Sequence, residues 1–224
     1  MLTAGEVVFL LDVDDTLLDN DQFAADLGDR LERSFGAAER ARYWEIFGRL
    51  RDQLGLADYL GSLQAFRTGL EDHPELLAMS AFLLEYPFAS RLYPRALEAV
   101  AHLGTLGSTA ILSDGDIVFQ PRKIQRSGIW EAVEGRVMIS LHKERVLDHM
   151  QQRYPAKHYV MVDDKPNLLA AMKSVLKDRL TTVFVRQGHY ALAPESNSVK
   201  PPPDMTIERI GDLIKHSSDF QVRP

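Results

Sequence analysis

Five apolar residues, Val7 to Leu11, run without a break into Asp12-Val13-Asp14-Asp15-Thr16. A continuous Val- and Leu-rich run of this length reads as a strand buried on both faces, which is the environment of a parallel sheet flanked by helices. Such a strand should not end in three carboxylates unless something compensates them. Like charges this close repel, and desolvated carboxylates are costly unless paired or metal-bound. In an open α/β sheet the crevice outside the carboxyl ends of the strands is the usual ligand site. The segment therefore points to a divalent cation and to chemistry on an anion.

Similar apolar runs recur at 109–112, 136–139, 159–162 and 182–185, with a shorter one at 205–207. Amphipathic stretches at 94–106, 120–127, 144–152 and 168–177 separate them, and a last helix is expected over 208–216. This alternation predicts an α/β fold, a doubly wound parallel sheet. It breaks between about Asp21 and Phe88, where no strand is evident. Helices are expected there over 22–35, 38–54, 62–70 and 74–86, with Pro74 at a first helical position. The block is too long for a crossover and reads as a second, smaller α-helical domain. The expected boundaries are 1–19 and 90–224 for the α/β core and 20–89 for the helical insert. Tyr43, Trp44 and Phe47 share a helix face and read as the insert's core.

Composition excludes several classes. A net charge of −6 argues against a broad nucleic-acid surface, and no apolar stretch approaches a membrane span. Cysteine is absent, so there is no disulfide framework and no thiolate chemistry; a cytoplasmic location is expected. The N-terminus lacks the features of a signal peptide.

Three more polar clusters follow strands. They are Ser113-Asp114-Gly115-Asp116, His142-Lys143-Glu144 and Asp163-Asp164-Lys165-Pro166-Asn167. Together with Asp12-Val13-Asp14-Asp15-Thr16, and in this order, they resemble the four motifs of the haloacid dehalogenase-like superfamily, mostly magnesium-dependent phosphohydrolases. The resemblance spans the α/β core, and the insert lies where that family places a helical cap. It implies Asp12 as a nucleophile forming an aspartyl-phosphate and Asp14 as the acid and base. It further implies Mg2+ held by Asp12, Asp164 and the backbone carbonyl of Asp14. Ser113, Asp114 and Lys143 would lie on the phosphate side, with Thr16 orienting Asp14 and Asp163 supporting the site. Asp15 is expected to cap a turn or face solvent, since the family tolerates glycine there.

The chain departs from the family pattern in two places. Leu168 stands where a further acid is common, so support through Asp163 or Asn167 is expected. Glu144 replaces the proline that usually follows the third-motif lysine, which makes Lys123 a competitor. Lys143 is preferred because a strand end suits a phosphate ligand better than a helix surface.

The expected activity is hydrolysis of a small phosphorylated metabolite. The alternatives are a phosphomutase or phosphotransferase, a dehalogenase and a catalytically silent binding module. The expected partner is a small phosphate ester, not nucleic acid or membrane; a face of the insert is a candidate homodimer surface. Asn20, Gln22 and Arg67 are candidate specificity residues.

Overall fold

In the computed structural model residues 5–220 are described. Six strands form one parallel sheet: β1 (Gly5–Leu11), β2 (Ser108–Asp114), β3 (Val137–Ser140), β4 (Ala156–Asp163), β5 (Leu180–Val185) and β6 (Met205–Ile207). Their order is β3-β2-β1-β4-β5-β6. Each predicted strand is present to within a few residues. The chain builds outward from β1 through β2 and β3, then returns to the other side of β1 for β4. The reversal point of the sheet therefore lies between β1 and β4, where an open α/β sheet leaves its crevice.

Alternation along β1 divides the interior. Val7, Phe9 and Leu11 face one apolar layer with Val13, and Val8 and Leu10 face the other. Helices α5 (Ala96–Gly104) and α7 (Ile129–Ala132) cover the first layer, and α8 (Leu147–Arg153) and α9 (Pro166–Leu176) cover the second. The expected C-terminal α-helix is instead a 3-10 run, Ile210–Phe220, kinked at His216. Its buried Ile210 and Leu213 are three apart, the spacing that a 3-10 turn stacks on one side.

The insert is helical throughout, with α1 (Asn20–Phe35), α2 (Ala37–Leu54), α3 (Tyr59–Phe66) and α4 (Glu75–Glu85). Asp19 caps α1 by accepting from the Gln22 amide at 2.8 Å, and Asp58 caps α3 by accepting from Gly61 at 2.7 Å. The Asp58 cap starts α3 three residues before the predicted Ser62. Pro74 precedes the first turn of α4 rather than opening it. No helix among the described residues is long and apolar enough to cross a membrane.

Insert and sheet share one apolar layer. Phe23 of α1 is its hinge: its ring lies 5.1 Å from Tyr59, 4.9 Å from Tyr86, 5.1 Å from Phe88 and 5.7 Å from Phe119. Phe119 opens helix α6 (Phe119–Arg126), which follows β2. Truncating a fully buried Phe leaves a cavity as well as losing transfer energy. Phe23→Ala should therefore lower stability by about 3–5 kcal/mol. Urea unfolding would show this as an earlier midpoint.

Candidate active site

Strand register delivers the carboxylates to one place. Leu11 is level with Ile111 of β2 and Val162 of β4, and the Asp12 amide donates to the Val162 carbonyl at 3.0 Å. Asp12 thus leaves β1 beside the Asp163-Asp164 pair that ends β4. One oxygen from each of Asp12, Asp163 and Asp164 lies within 4.8 Å of the others. All three residues are buried.

Lys143 enters this cluster from the short 3-10 turn after β3. Its Nζ donates to Asp12 Oδ1 at 2.6 Å and to Asp163 Oδ2 at 2.7 Å. Burial alone would lower the ammonium's pKa, but the surrounding charges of Asp12, Asp163 and Asp114 raise it, so Lys143 stays cationic. Asp114 fixes the turn that carries it: Oδ1 accepts from the Lys143 amide at 2.7 Å and from Ser140 Oγ at 3.0 Å. The Asp114 side chain is thus engaged in holding that turn. Asp163 is similarly committed, through Lys143 and through the Lys165 amide at 2.8 Å.

What remains is unpaired. Asp12 Oδ2 and both carboxylate oxygens of Asp164 are buried with no hydrogen-bond partner. Burial, then the charges of Asp163 and Asp12, push the Asp164 pKa well above the usual carboxylate range. Orphaned buried carboxylate oxygens are rare and call for an explanation such as an ion. Oxygen donors of this kind suit Mg2+, so the residues present fit the cation that the family uses. Leu168 supplies no further acid and Asn167 is exposed, which leaves Asp163 as the support of the cluster.

Asp14 has its own partners. Lys123 Nζ donates to its Oδ1 at 2.7 Å and Gln120 Nε2 to its Oδ2 at 3.1 Å. Gln120 Nε2 also reaches Ser113 Oγ at 2.9 Å, tying Asp14 to that hydroxyl. Two expectations need correcting. Thr16 Oγ1 has no hydrogen-bond partner, so it does not orient Asp14. Lys123 is not on a helix surface but fully buried, because α6 turns that side toward the insert. Its ammonium donates to Asn20 Oδ1 at 3.0 Å and lies 5.3–5.8 Å from the rings of Phe119, Phe88, Phe23 and Tyr59. The two competing lysines are therefore both at the site: Lys143 on Asp12, Lys123 on Asp14. Gln120 and Lys123, three apart just after Ser113, were the unread signal.

Above Asp14 lies a cavity of about 210 Å³ between insert and sheet. Trp44, Phe47 and Arg51 of α2 line one wall; Asp14, Asp114, Lys165 and the His189-Tyr190 turn line the other. Of the three aromatic residues assigned to the insert's core, only Tyr43 is fully buried there; Trp44 and Phe47 border the cavity. Asn20 also borders it. Gln22 instead bonds Asp26, and Arg67 lines a separate cavity within the insert. At the rim, Gly55 takes a left-handed φ of 75°, and a Cβ there would lie 2.6 Å from His142 Cε1, so insert and core touch closely.

Asp15 closes the turn after β1. It has a left-handed φ of 56°, and its Oδ1 accepts from the amides of Asn20 at 3.0 Å and Asp21 at 3.2 Å. The expected turn-capping role fits these bonds, but the side chain is buried, covered by Gly188. A Cβ on Gly188 would lie 2.4 Å from that of Asp15. Burial, then the neighbouring Asp21 and Asp14 charges, push the Asp15 pKa up to about 7.

With this geometry in place, comparison with known proteins gives the class. A family model for the haloacid dehalogenase-like hydrolases matches residues 7–175, and the chain belongs to that family. The crystal structure of a protein from Burkholderia xenovorans LB400, assigned to the same hydrolases, is 58% identical with a TM-score of 0.91. It covers 97% of this chain, which spans 99% of it. The L-2-haloacid dehalogenase of Xanthobacter autotrophicus is 20% identical with a TM-score of 0.59, over 96% of this chain and 99% of that one. The magnesium-bound HAD-hydrolase YfnB of Bacillus subtilis is 16% identical with a TM-score of 0.60, over 93% and 96%. These two likenesses concern the fold. A search of curated proteins returns no match.

The Asp15 shift has a consequence for stability. Its folded pKa lies above the reference 3.8, so between about pH 4 and 7 the native state keeps a proton that the unfolded chain has lost. Stability should fall as pH rises through that window. Asn preserves the acceptor and tolerates the left-handed backbone without titrating. Asp15→Asn should exceed the parent in stability by on the order of 2 kcal/mol at pH 8, with the gap closing toward pH 4. Urea titrations at both pH values check this; an equal gap at both would refute it.

Proposed function

We propose that the protein is a magnesium-dependent phosphomonoesterase for a small phosphorylated metabolite, with Asp12 as nucleophile. The observation that carries this reading is the unpartnered set of buried oxygens, Asp12 Oδ2 and both of Asp164, beside the Lys143 ammonium. A phosphate ester repels a carboxylate nucleophile. Mg2+ held by Asp12, Asp164 and the Asp14 carbonyl would neutralise that repulsion and the charge that builds up on the phosphoryl oxygens.

The chain's own groups divide the rest of the work. Lys143 fixes the Asp12 carboxylate by one oxygen and adds positive charge where the phosphoryl group would sit. Asp12 attacks phosphorus and the bond to the ester oxygen breaks; Asp14 gives that oxygen a proton. Asp14 then takes a proton from the water that splits the aspartyl-phosphate, which releases phosphate, frees the Asp12 carboxylate and returns Asp14 to its protonated form. Lys123 and Gln120 keep Asp14 aimed for both transfers. Ser113 stands ready to donate to a phosphoryl oxygen, and the insert limits water in the cavity.

Dehalogenation is the competing hydrolysis within the family. A halide leaves without a proton, so it gives the held Asp14 and the free Asp164 oxygens no task. Phosphoryl transfer to a second hydroxyl would use the same groups and would appear as isomerisation of a sugar phosphate.

Hydrolysis of p-nitrophenyl phosphate should require Mg2+ and should be lost in Asp12→Asn with the fold intact. Chloride release from 2-chloropropionate that persists in chelator would overturn the assignment. Excess Mg2+ should also raise the melting temperature, at 100-fold over its dissociation constant by the equivalent of about 2.7 kcal/mol, and much less in Asp164→Asn. Lys123→Met should leave Asp14 unheld and lower turnover roughly 10- to 100-fold, a fraction of what a positioned acid contributes. Unchanged turnover in that variant would exclude the positioning role.

A further inference from the structure

Two cations border the cavity between insert and sheet without a part in the chemistry above: Lys165, whose ammonium faces the charges of Asp164 and Asp12, and Arg51. Trp44, Phe47 and Arg51 recur at i, i+3 and i+7 along α2, which sets them on one face of that helix, and all three border the cavity opposite Asp14. Arg51 is exposed to the cavity mouth, and its guanidinium makes no hydrogen bond or ion pair to any described residue.

The carboxylates around it do not need it. Asp14 is held by Lys123 and Gln120. Asp21 pairs with His189 at 2.5 Å, and Asp15 accepts from backbone amides. The acidic side of the cavity is thus internally matched, and the basic side keeps an unmatched planar donor. A guanidinium is the side chain suited to two-point recognition of a carboxylate. At about 210 Å³ the cavity is smaller than pockets that hold drug-sized ligands, which favours a short substrate.

We propose that Arg51 reads a carboxylate at the end of the substrate away from the phosphate, so that the protein acts on short phosphorylated carboxylic acids. Trp44 and Phe47 flank the connecting carbons. The inference rests on the phosphomonoesterase reading and adds to it the chemical class of the substrate.

Phosphoglycolate and monoethyl phosphate form a suitable pair, because they differ chiefly in the carboxylate. The full-length protein with Mg2+ should hydrolyse phosphoglycolate with a kcat/KM at least 10-fold higher, the difference lying mainly in KM. In Arg51→Gln the ratio of the two should collapse toward one. In Arg51→Glu the preference should turn toward phosphoethanolamine, whose amine complements the new charge. A reversal of this kind cannot come from a loss of folding. Equal parent kcat/KM for the two esters, or a ratio that survives Arg51→Gln, would overturn the inference while leaving the phosphatase reading intact. Hydrolysis of p-nitrophenyl phosphate without any of phosphoglycolate would do the same. No phosphate release from any ester would remove the phosphatase reading, and this inference with it.

Discussion

The buried ammonium of Lys143, held between Asp12 and Asp163, is the contact on which the rest of the site depends. Parallel strand order places Asp12, Asp163 and Asp164 at one point, and no arrangement of apolar neighbours could keep them there charged. One lysine inserted between two of them makes the convergence tolerable. The third, Asp164, remains without a partner. Removing one member of a buried pair typically costs 3–5 kcal/mol because the other charge is stranded. The cluster therefore gives away stability to keep oxygens free for a ligand, and that surrender is what marks it as functional.

The insert is tied to the chemistry by packing as well as by enclosure. The ammonium of Lys123 sits among rings from α1, α3, the segment after α4, and α6. Several kilocalories of apolar burial and cation–π attraction therefore depend on the insert being seated. The same ammonium holds Asp14. The orientation of the proposed acid is in this way coupled to the docking of the helical block, although Asp14 belongs to the loop after β1.

The strands were legible because a strand buried on both faces must be apolar at every position, and little else in a soluble chain looks like that. The four strand-end clusters were legible because the sheet brings all carboxyl ends to one edge. What local pattern could not reveal was burial that depends on a distant partner. Lys123 reads as a helix-surface lysine until the insert covers it. Trp44 and Phe47 read as core and do pack on it, but sequence does not tell that α2 also turns them toward the cavity. Thr16 was expected from the family resemblance to orient Asp14, but its hydroxyl makes no bond, and residues more than 100 positions away hold Asp14 instead. The C-terminal segment failed for a local reason: with few apolar anchors, a 3-10 run serves as well as an α-helix.

Two carboxylates two residues apart would be expected to behave alike, yet the fold gives them different surroundings. Asp12 is 3% exposed, at the floor of the crevice, beside the unpartnered Asp164 oxygens and clamped by Lys143. The Asp14 side chain keeps 26% of its surface open and faces the cavity above. These surroundings suit the proposed roles: a nucleophile must be fixed and desolvated at the phosphorus, whereas an acid must reach the leaving oxygen and then a water arriving from the cavity. Val13 between them is fully buried. Asp15, left-handed and bonded to the amides of its own loop, secures the turn after β1. The three aspartates are thus separated by backbone geometry, not by residue type.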